Sequence, residues 1–89
     1  MNVTVVFTTQ LKAAIGQESV VLELNESATV RDAIESLSTS FAQPVRDYVL
    51  RDGELLPSIL LVVNDEQVGA DALLSEGDTV TLLSAISGG

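Results

Sequence analysis

The end of the chain is the part of the sequence that could take part in covalent chemistry. A strand-like run up to Leu83 passes through small or flexible residues and stops at Gly88-Gly89. A carboxylate at such an end can attack the α-phosphate of ATP if the chain reaches into the nucleotide site of another protein. Glycine suits this passage because it has no Cβ and tolerates backbone angles that strain other residues. We therefore expect Gly89 to be the reactive residue, with Gly88 giving access to it.

The tail beyond the strand is long enough to enter a partner. Extended backbone advances about 3.3–3.6 Å per residue, so five or six residues reach roughly 15–20 Å. Leu83 and Ile86 are apolar residues beside this exit, and we expect them to contact the channel of the partner. Ordinary core packing is an equally good interpretation of Leu83. A Gly-Gly ending also occurs by chance in roughly 0.5% of chains at ordinary glycine usage, so the rest of the sequence has to support the hypothesis.

The composition excludes several other classes of site. The chain has no His and no Cys, so it offers neither a thiol nucleophile nor a His-based metal centre, and we expect no metal. Thirteen acidic side chains against four basic ones give a formal net charge of −9. This charge argues against nucleic-acid binding, because phosphate contacts depend on Lys and Arg. It keeps a surface solvated, and it can also steer the chain toward a basic partner.

Length and apolar content predict one soluble domain. The 89 residues are 46% hydrophobic, which fits a folded core rather than a disordered chain. No apolar run approaches the length of a membrane span, and no signal-peptide pattern precedes the first strand. The absence of Cys fits a reducing compartment. We therefore expect a cytoplasmic protein with no membrane partner.

Two strands are predicted at the start of the chain. Val3–Phe7 and Ser19–Leu24 are rich in β-branched residues and alternate as half-buried strands do. We expect them to pair as an antiparallel hairpin across a polar connection, residues 10–18, that contains Gly16.

One main helix is predicted next. Thr29 can cap it, and Asp32 stands three residues later, which is close to a capping box. Apolar residues spaced i, i+3, i+4 and i+7 form one helix face: Val30, Ala33, Ile34 and Leu37.

The second half of the chain contains shorter signals. The predicted elements are, in order, a short helix over Pro44–Leu50, a turn at Asp52-Gly53, an interior strand over Ile59–Val63, a reversal over Asn64–Gln67, a short strand from Val68, a helical turn at Leu73-Leu74, a tight turn over Glu76–Asp78 and the last strand, Thr79–Leu83. In the tight turn, Gly77 is expected to supply a positive φ.

One main helix and about five strands bury a core if the helix covers one face of a mixed sheet. The helix crossover lets the following strand run parallel to the strand before it. We therefore predict an α+β fold of β-grasp architecture in residues 1–84, with residues 85–89 as a flexible C-terminal tail.

Five segments, in this order and spacing, carry a resemblance to a known family. They are Phe7–Gly16 with Leu11 and Lys12, Ala28–Ile34, Val62–Glu66, Leu74–Val80 and the final Gly88-Gly89. Each is weak alone, but together they cover nearly the whole chain, which resembles the MoaD/ThiS family of ubiquitin-like sulfur carriers. The resemblance implies a ubiquitin-like β-grasp fold.

The resemblance also implies that the chain is a substrate and not an enzyme. In this family a ubiquitin-activating-like enzyme uses ATP to adenylate the C-terminal glycine, and a sulfur donor converts it to a thiocarboxylate. The tail then enters a sulfur-acceptor enzyme and gives up sulfide. Gly89 would carry the sulfur, and the chain itself would bind no cofactor. Phe7 and Leu61 match positions of a partner-facing sheet surface in the family, and core packing is the competing interpretation of both.

The tail differs from that of the molybdopterin-synthase small subunit, which usually ends in Phe-Pro-Pro-Val-Ala-Gly-Gly. Residues 83–89 contain neither proline, so ordering this tail costs more entropy. The acceptor is expected to be a molybdopterin synthase large subunit or an enzyme of the cysteine synthase type. Met1–Val5, Val63–Glu66 and Ala85 resemble the carriers for cysteine synthesis more closely. Thiamine synthesis and tRNA thiolation remain open.

Two other functional classes use the same fold. A ubiquitin-like modifier would be joined through Gly89 to target lysines, and a regulatory β-grasp domain would not react at all. The single lysine, Lys12, predicts few conjugate chains built on this protein.

Overall fold

The computed structural model describes residues 1–84, apart from the side chain of Ser84. The predictions on Ile86, Gly88 and Gly89 lie outside the described residues. In chain order the elements are β1 (Asn2–Phe7), α1 (Thr9–Ile15), β2 (Ser19–Glu23), α2 (Val30–Ser40), α3 (Ala42–Tyr48), β3 (Leu50–Arg51), β4 (Glu54–Leu55), β5 (Ile59–Val63), β6 (Glu66–Val68) and β7 (Thr79–Ser84).

Five of the strands form one mixed sheet in the order β2-β1-β7-β5-β6, and β3 pairs with β4 in a separate hairpin. β7 lies in the middle, parallel to β1 and antiparallel to β5, while the outer pairs β1–β2 and β5–β6 are antiparallel. The predicted mixed sheet of about five strands is confirmed. The strand after the helix crossover, β5, is not the neighbour of β2 as expected. The last strand inserts in the centre, so β1 and β7 separate β2 from β5, and the parallel neighbours are β1 and β7.

Helix α2 packs its apolar stripe against one face of the sheet, as predicted. Its stripe consists of Val30, Ala33, Ile34 and Leu37, all buried. The sheet residues that share this core include Val3, Val5, Phe7, Leu61, Val80 and Leu82. The predicted cap is a complete capping box. The N–H of Asp32 donates to Thr29 Oγ1 (3.2 Å), and the N–H of Thr29 donates to Asp32 Oδ2 (2.9 Å).

Helix α1 occupies the segment that was expected to be a polar connection. Its one fully buried side chain is Leu11, and Ile15, four residues later, packs partly buried against the core. One such pair in a seven-residue helix is too short a pattern to predict it. The helix ends at Gly16, which has φ +84° and whose N–H donates to the carbonyl of Lys12 (2.8 Å). Glycine adopts this C-cap conformation without strain. The expected single main helix is therefore accompanied by two short ones, since α3 forms close to the predicted short helix.

The segment between β6 and β7 is extended at the position where a helical turn was predicted. Leu73 forms an isolated antiparallel bridge with Thr29, and the N–H of Leu74 donates to the carbonyl of Ala28 (3.0 Å). The predicted helical turn is therefore wrong, because these residues pair with the backbone just before α2.

Two turns at one end of the sheet are bonded to each other. Asn64 and Asp65, between β5 and β6, both have positive φ (+49° and +72°), which suits a two-residue hairpin turn. Asn64 Nδ2 donates to Asp78 Oδ1 (2.8 Å), and Asn64 Oδ1 accepts from the N–H of Thr79 (3.0 Å). Gly77, in the turn before β7, has φ +83°, as predicted. These bonds fix the start of β7 to the end of β5.

We predict that Thr29→Ala lowers the free energy of unfolding by about 1 kcal/mol, the usual cost of losing an N-cap side chain. Thr39, exposed on the same helix, is the matched control. Thr39→Ala should leave the stability unchanged or raise it slightly, because alanine has the higher helix propensity. Urea unfolding followed by circular dichroism measures both variants. Equal losses would contradict the assignment of the cap.

Candidate functional site

The tail leaves the sheet from the end of its central strand. β7 ends at Ser84, with Phe7 of β1 opposite Leu82 on one side and Ile59 of β5 opposite Ser84 on the other. We call this the exit end of the sheet, where β1 and β7 finish and β5 begins. The opposite end, where β1 and β7 begin, is the far end. Residues 85–89 therefore follow a strand that has neighbours on both sides up to Leu82 and on the β5 side up to Ser84.

At the exit end, the side chain of Thr8 bonds across to β7. Its hydroxyl donates a hydrogen bond to the carbonyl of Leu82 (2.9 Å). Thr8 is also the N-cap residue of α1, yet its side chain makes no cap bond. A threonine at this position commonly accepts from an N–H of the first turn, which contributes about 1 kcal/mol. The hydroxyl thus bonds with the base of the tail and not with the helix that follows it.

The next residue, Thr9, has a backbone conformation that threonine rarely adopts. Its φ is +46°, in the left-handed region where a β-branched side chain is strained. Such strain costs on the order of 1–3 kcal/mol and persists only where the surrounding structure enforces it. The turn from β1 into α1 is therefore a strained feature directly beside the base of the tail.

Charge is distributed unevenly along the sheet. Strand residues at the exit end carry no ionisable side chain, over Val5–Phe7, Ser19–Val21, Ile59–Leu61 and Leu82–Ser84. Glu18, just before β2, is paired with Lys12, whose Nζ lies 3.3 Å from Glu18 Oε1. Carboxylates occupy the strands and turns of the far end: Glu23, Asp65, Glu66, Glu76 and Asp78. A partner with a phosphate-rich site would therefore meet less repulsion at the exit end.

The two faces of the sheet differ, because successive side chains of a strand point to opposite faces. Phe7 and Leu61 are 2% and 3% exposed, and Leu61 pairs with Leu82, which is itself buried. Core packing therefore describes both residues, and neither has a surface to offer a partner in this fold. This burial corrects the expectation for Phe7 and Leu61, two members of the expected partner-binding set of Phe7, Leu61, Leu83 and Ile86.

Leu83 lies on the opposite face and is half-buried. It pairs across the strands with Leu60, which is 39% exposed. We call this side of the sheet the open face, formed by Val6, Val21, Leu60, Val62, Thr81 and Leu83. Leu83 is thus an apolar residue beside the exit, as expected, and its contact with a partner stays a prediction. Leu60 is the neighbour that the sequence did not single out.

The other features of residues 1–84 lie away from these strands. Depressions in the described surface lie beside Glu23 and Asp32 and beside Arg46 and Arg51, and neither of these is lined by a residue of β1, β5 or β7. Within this part of the chain, no group of three or more side chains is placed to hold a metal ion. No helix in the same range is long and apolar enough to cross a membrane.

Known proteins resemble this chain over its whole length. The ThiS family model matches residues 5–89. Small archaeal modifier protein 3 of Haloferax volcanii is 26% identical over 93 aligned residues, which cover 100% of both chains. Among solved structures, SAMP1 from Haloferax volcanii has a TM-score of 0.89 at 24% identity over 100% of both chains, a likeness of fold. A chain of the BexX/CysO complex of Amycolatopsis orientalis is 34% identical, with a TM-score of 0.77 and with 98% of this chain and 99% of that chain covered.

We predict that Leu61→Ala and Leu60→Ala differ in their effect on stability, although the two residues are adjacent. Leu61→Ala removes a buried side chain and should lower the free energy of unfolding by about 2–4 kcal/mol. Leu60→Ala shortens a partly exposed side chain on the open face and should cost less than about 1 kcal/mol. Guanidinium unfolding of both variants is the measurement. Similar losses would show that the two faces are wrongly assigned.

Proposed function

The chain belongs to the ThiS family, and from this membership we propose that it is a sulfur carrier whose residue Gly89 is converted to a thiocarboxylate. The family match runs from residue 5 through Gly88 and Gly89, and this observation carries the proposal. The fold is the ubiquitin-like β-grasp that the sequence resemblance implies, and related structures share it over their whole length. In this proposal the chain is a substrate of partner enzymes and not a catalyst.

The proposed reaction begins on a ubiquitin-activating-like enzyme that binds ATP. A carboxylate oxygen of Gly89 attacks the α-phosphate, pyrophosphate leaves, and an acyl adenylate forms. A sulfide-level nucleophile from a sulfur donor then forms the C–S bond, while the C–O bond to AMP breaks. The product is a C-terminal thiocarboxylate, which is a better nucleophile than a carboxylate and can give up its sulfur in a second enzyme.

The charge distribution supports a partner whose nucleotide site faces the exit end. ATP carries several negative charges, so carboxylates around the entering tail would oppose its approach. Glu18 is the carboxylate next to the exit strands, and Lys12 lies 3.3 Å from it. Carboxylates such as Glu76 and Asp78 are at the far end, where they bond to the N–H of Asn2 and to Asn64. Such an asymmetry favours an approach in which the tail leads.

The geometry of the last strand supports insertion of the tail. Residues 85–89 can extend about 17 Å from Ser84 at the usual advance per residue. β7 is paired with β5 up to Ser84 and with β1 up to Leu82, so docking has to order only the tail. A pre-organised base reduces the entropy that docking costs.

The open face offers an apolar contact beside the tail. Leu60 and Leu83 form a cross-strand pair there, and Ile86 follows three residues later. We place the docked partner against this pair. The BexX/CysO complex is an assembly of proteins that contains a similar chain, which supports a protein partner here. The acceptor is a second enzyme, of the molybdopterin synthase large subunit or cysteine synthase type, that receives the same tail.

A ubiquitin-like modifier is the second candidate, supported by the similarity to small archaeal modifier protein 3. It needs the same adenylate, but a lysine amine of another protein replaces sulfur and forms an isopeptide bond with Gly89. This chain offers few amines for polymers of its own. Lys12 is its one lysine, and the Met1 amino group donates to the carbonyl of Leu24 (2.6 Å) beside the β1–β2 pair. Modifier conjugates should therefore contain few chains built on this protein.

We predict that the purified chain takes up sulfur from a mixture of radiolabelled sulfide and radiolabelled cysteine in an extract of its native cells only when ATP is present. The chain has no Cys, so labelled cysteine cannot attach to it through a disulfide, and label on the chain marks another site. A variant that lacks Gly88 and Gly89 should stay unlabelled, because the glycine that the activating enzyme would adenylate is absent.

An ATP analogue with a methylene group between the α- and β-phosphates is the matched control for this experiment. It cannot release pyrophosphate, so adenylation and labelling should both stop. Label in the truncated variant, equal label with the analogue, or an unlabelled wild-type chain in the presence of ATP would each refute the sulfur-carrier proposal.

A further inference from the structure

We propose that Thr8 is a positioning residue that holds the end of β7, the base of the tail, in place. What the tail does rests on the proposed function, whereas the contact itself lies among the described residues. The hydroxyl of Thr8 donates to the carbonyl of Leu82 at 2.9 Å, between residues 74 positions apart in the chain. Two residues beyond Leu82, the described part of the chain ends and the tail begins.

The bond continues the β1–β7 ladder past the end of β1. The N–H of Thr4 donates to the carbonyl of Asp78 (3.0 Å), the residue before its register partner Thr79. In a β-ladder this pattern repeats every second residue. Four residues further along both strands, Thr8 therefore takes the place of Thr4, and the carbonyl of Leu82 takes the place of the carbonyl of Asp78. There the side-chain hydroxyl makes the bond. The backbone can therefore turn away into α1 without releasing β7.

The contact of Thr8 with Leu82 takes the place of a helix cap. Helix α1 begins without a side-chain cap, and Thr9 takes a φ of +46° immediately afterwards. Both features weaken the start of α1. Departures from local preference of this kind are expected where a structure serves function. The hydroxyl is directed to the base of the tail at the expense of the helix.

Holding Leu82 fixes the residues that lead into the tail. On its other side β7 stays paired with β5, with Leu60 opposite Leu83 and Ile59 opposite Ser84. Without the hydroxyl of Thr8, the carbonyl of Leu82 would lose this donor on the β1 side. β7 would then fray from Leu82 onward. The end of β7 would then take a range of positions, and docking of the tail in a narrow channel would require more of the chain to be ordered.

Hydrogen exchange tests the contact without any assumption about function. Thr8→Val removes the hydroxyl and keeps the side-chain shape, and Thr8→Ser restores the hydroxyl. Amide exchange from Leu82 to Ser84 should be about fivefold faster in Thr8→Val, as expected for the loss of one hydrogen bond, and close to wild type in Thr8→Ser. Exchange at Ile34, buried in α2, reports on global stability and should change less.

Thr39→Val is the matched control, because Thr39 is exposed on α2, and it should leave the exchange of the last strand unchanged. Unchanged exchange from Leu82 to Ser84 in Thr8→Val would overturn the proposal, whatever the tail does in cells. An equal acceleration at Ile34 would also overturn it, since the hydroxyl would then stabilise the whole fold and not the base of the tail.

Sulfur labelling in the native extract, measured over a range of chain concentrations, tests the role in docking. Thr8→Val should raise the concentration that gives the half-maximal rate several-fold and leave the maximal rate nearly unchanged. The entropy lost in ordering the end of β7 opposes the binding step and not the later chemical step. Thr8→Ser should restore the wild-type value. Identical concentration dependence of Thr8→Val and wild type would overturn the positioning role. An unlabelled wild type would instead refute the proposed function, and hydrogen exchange alone would then decide the Thr8 proposal.

Discussion

The structure depends on the insertion of the last strand into the centre of the sheet. β7 pairs with β1 on one side and with β5 on the other, and its residues Val80 and Leu82 are fully buried. The core, the placement of β1 and β5 in one sheet and the starting point of the tail therefore all depend on one segment. A shift of β7 would break pairs on both sides, so the fold fixes the point from which residues 85–89 start.

Much of the fold follows from local patterns in the sequence. Thr29 and Asp32 mark the start of α2, the apolar spacing marks its buried face, and Gly77 marks the turn before β7. What could not be predicted depends on contacts between distant segments. Helix α1 offers only the short apolar pair Leu11 and Ile15 as a signal, and the extended conformation of Leu73 is set by its pairing with the backbone before α2. The parallel β1–β7 pair likewise joins the two ends of the chain.

The candidate site also has a part that the sequence shows and a part that only the strand register shows. The glycines of the tail are visible in the sequence, and the ThiS family match includes them. The proposed partner surface is not visible in the sequence, because Ile59–Val63 is apolar at every position and shows no alternation that would separate Leu60 from Leu61. Since a shift of one residue changes the face, the assignment needed the strand register. The role of Thr8 was hidden for a similar reason: its partner Leu82 is distant in sequence, and a threonine before a helix resembles an ordinary cap.

The intact mass of the protein purified from its native cells, with a map of the C-terminal peptide, tests the central claim most directly. The sulfur-carrier account predicts a population of chains in which sulfur replaces one oxygen of the Gly89 carboxylate. Gly89 with an unmodified carboxylate, together with Gly-Gly remnants on lysines of other proteins, would contradict that account and identify a modifier. An unmodified Gly89 without such remnants, in sulfur-replete cells that contain the activating enzyme, would contradict both.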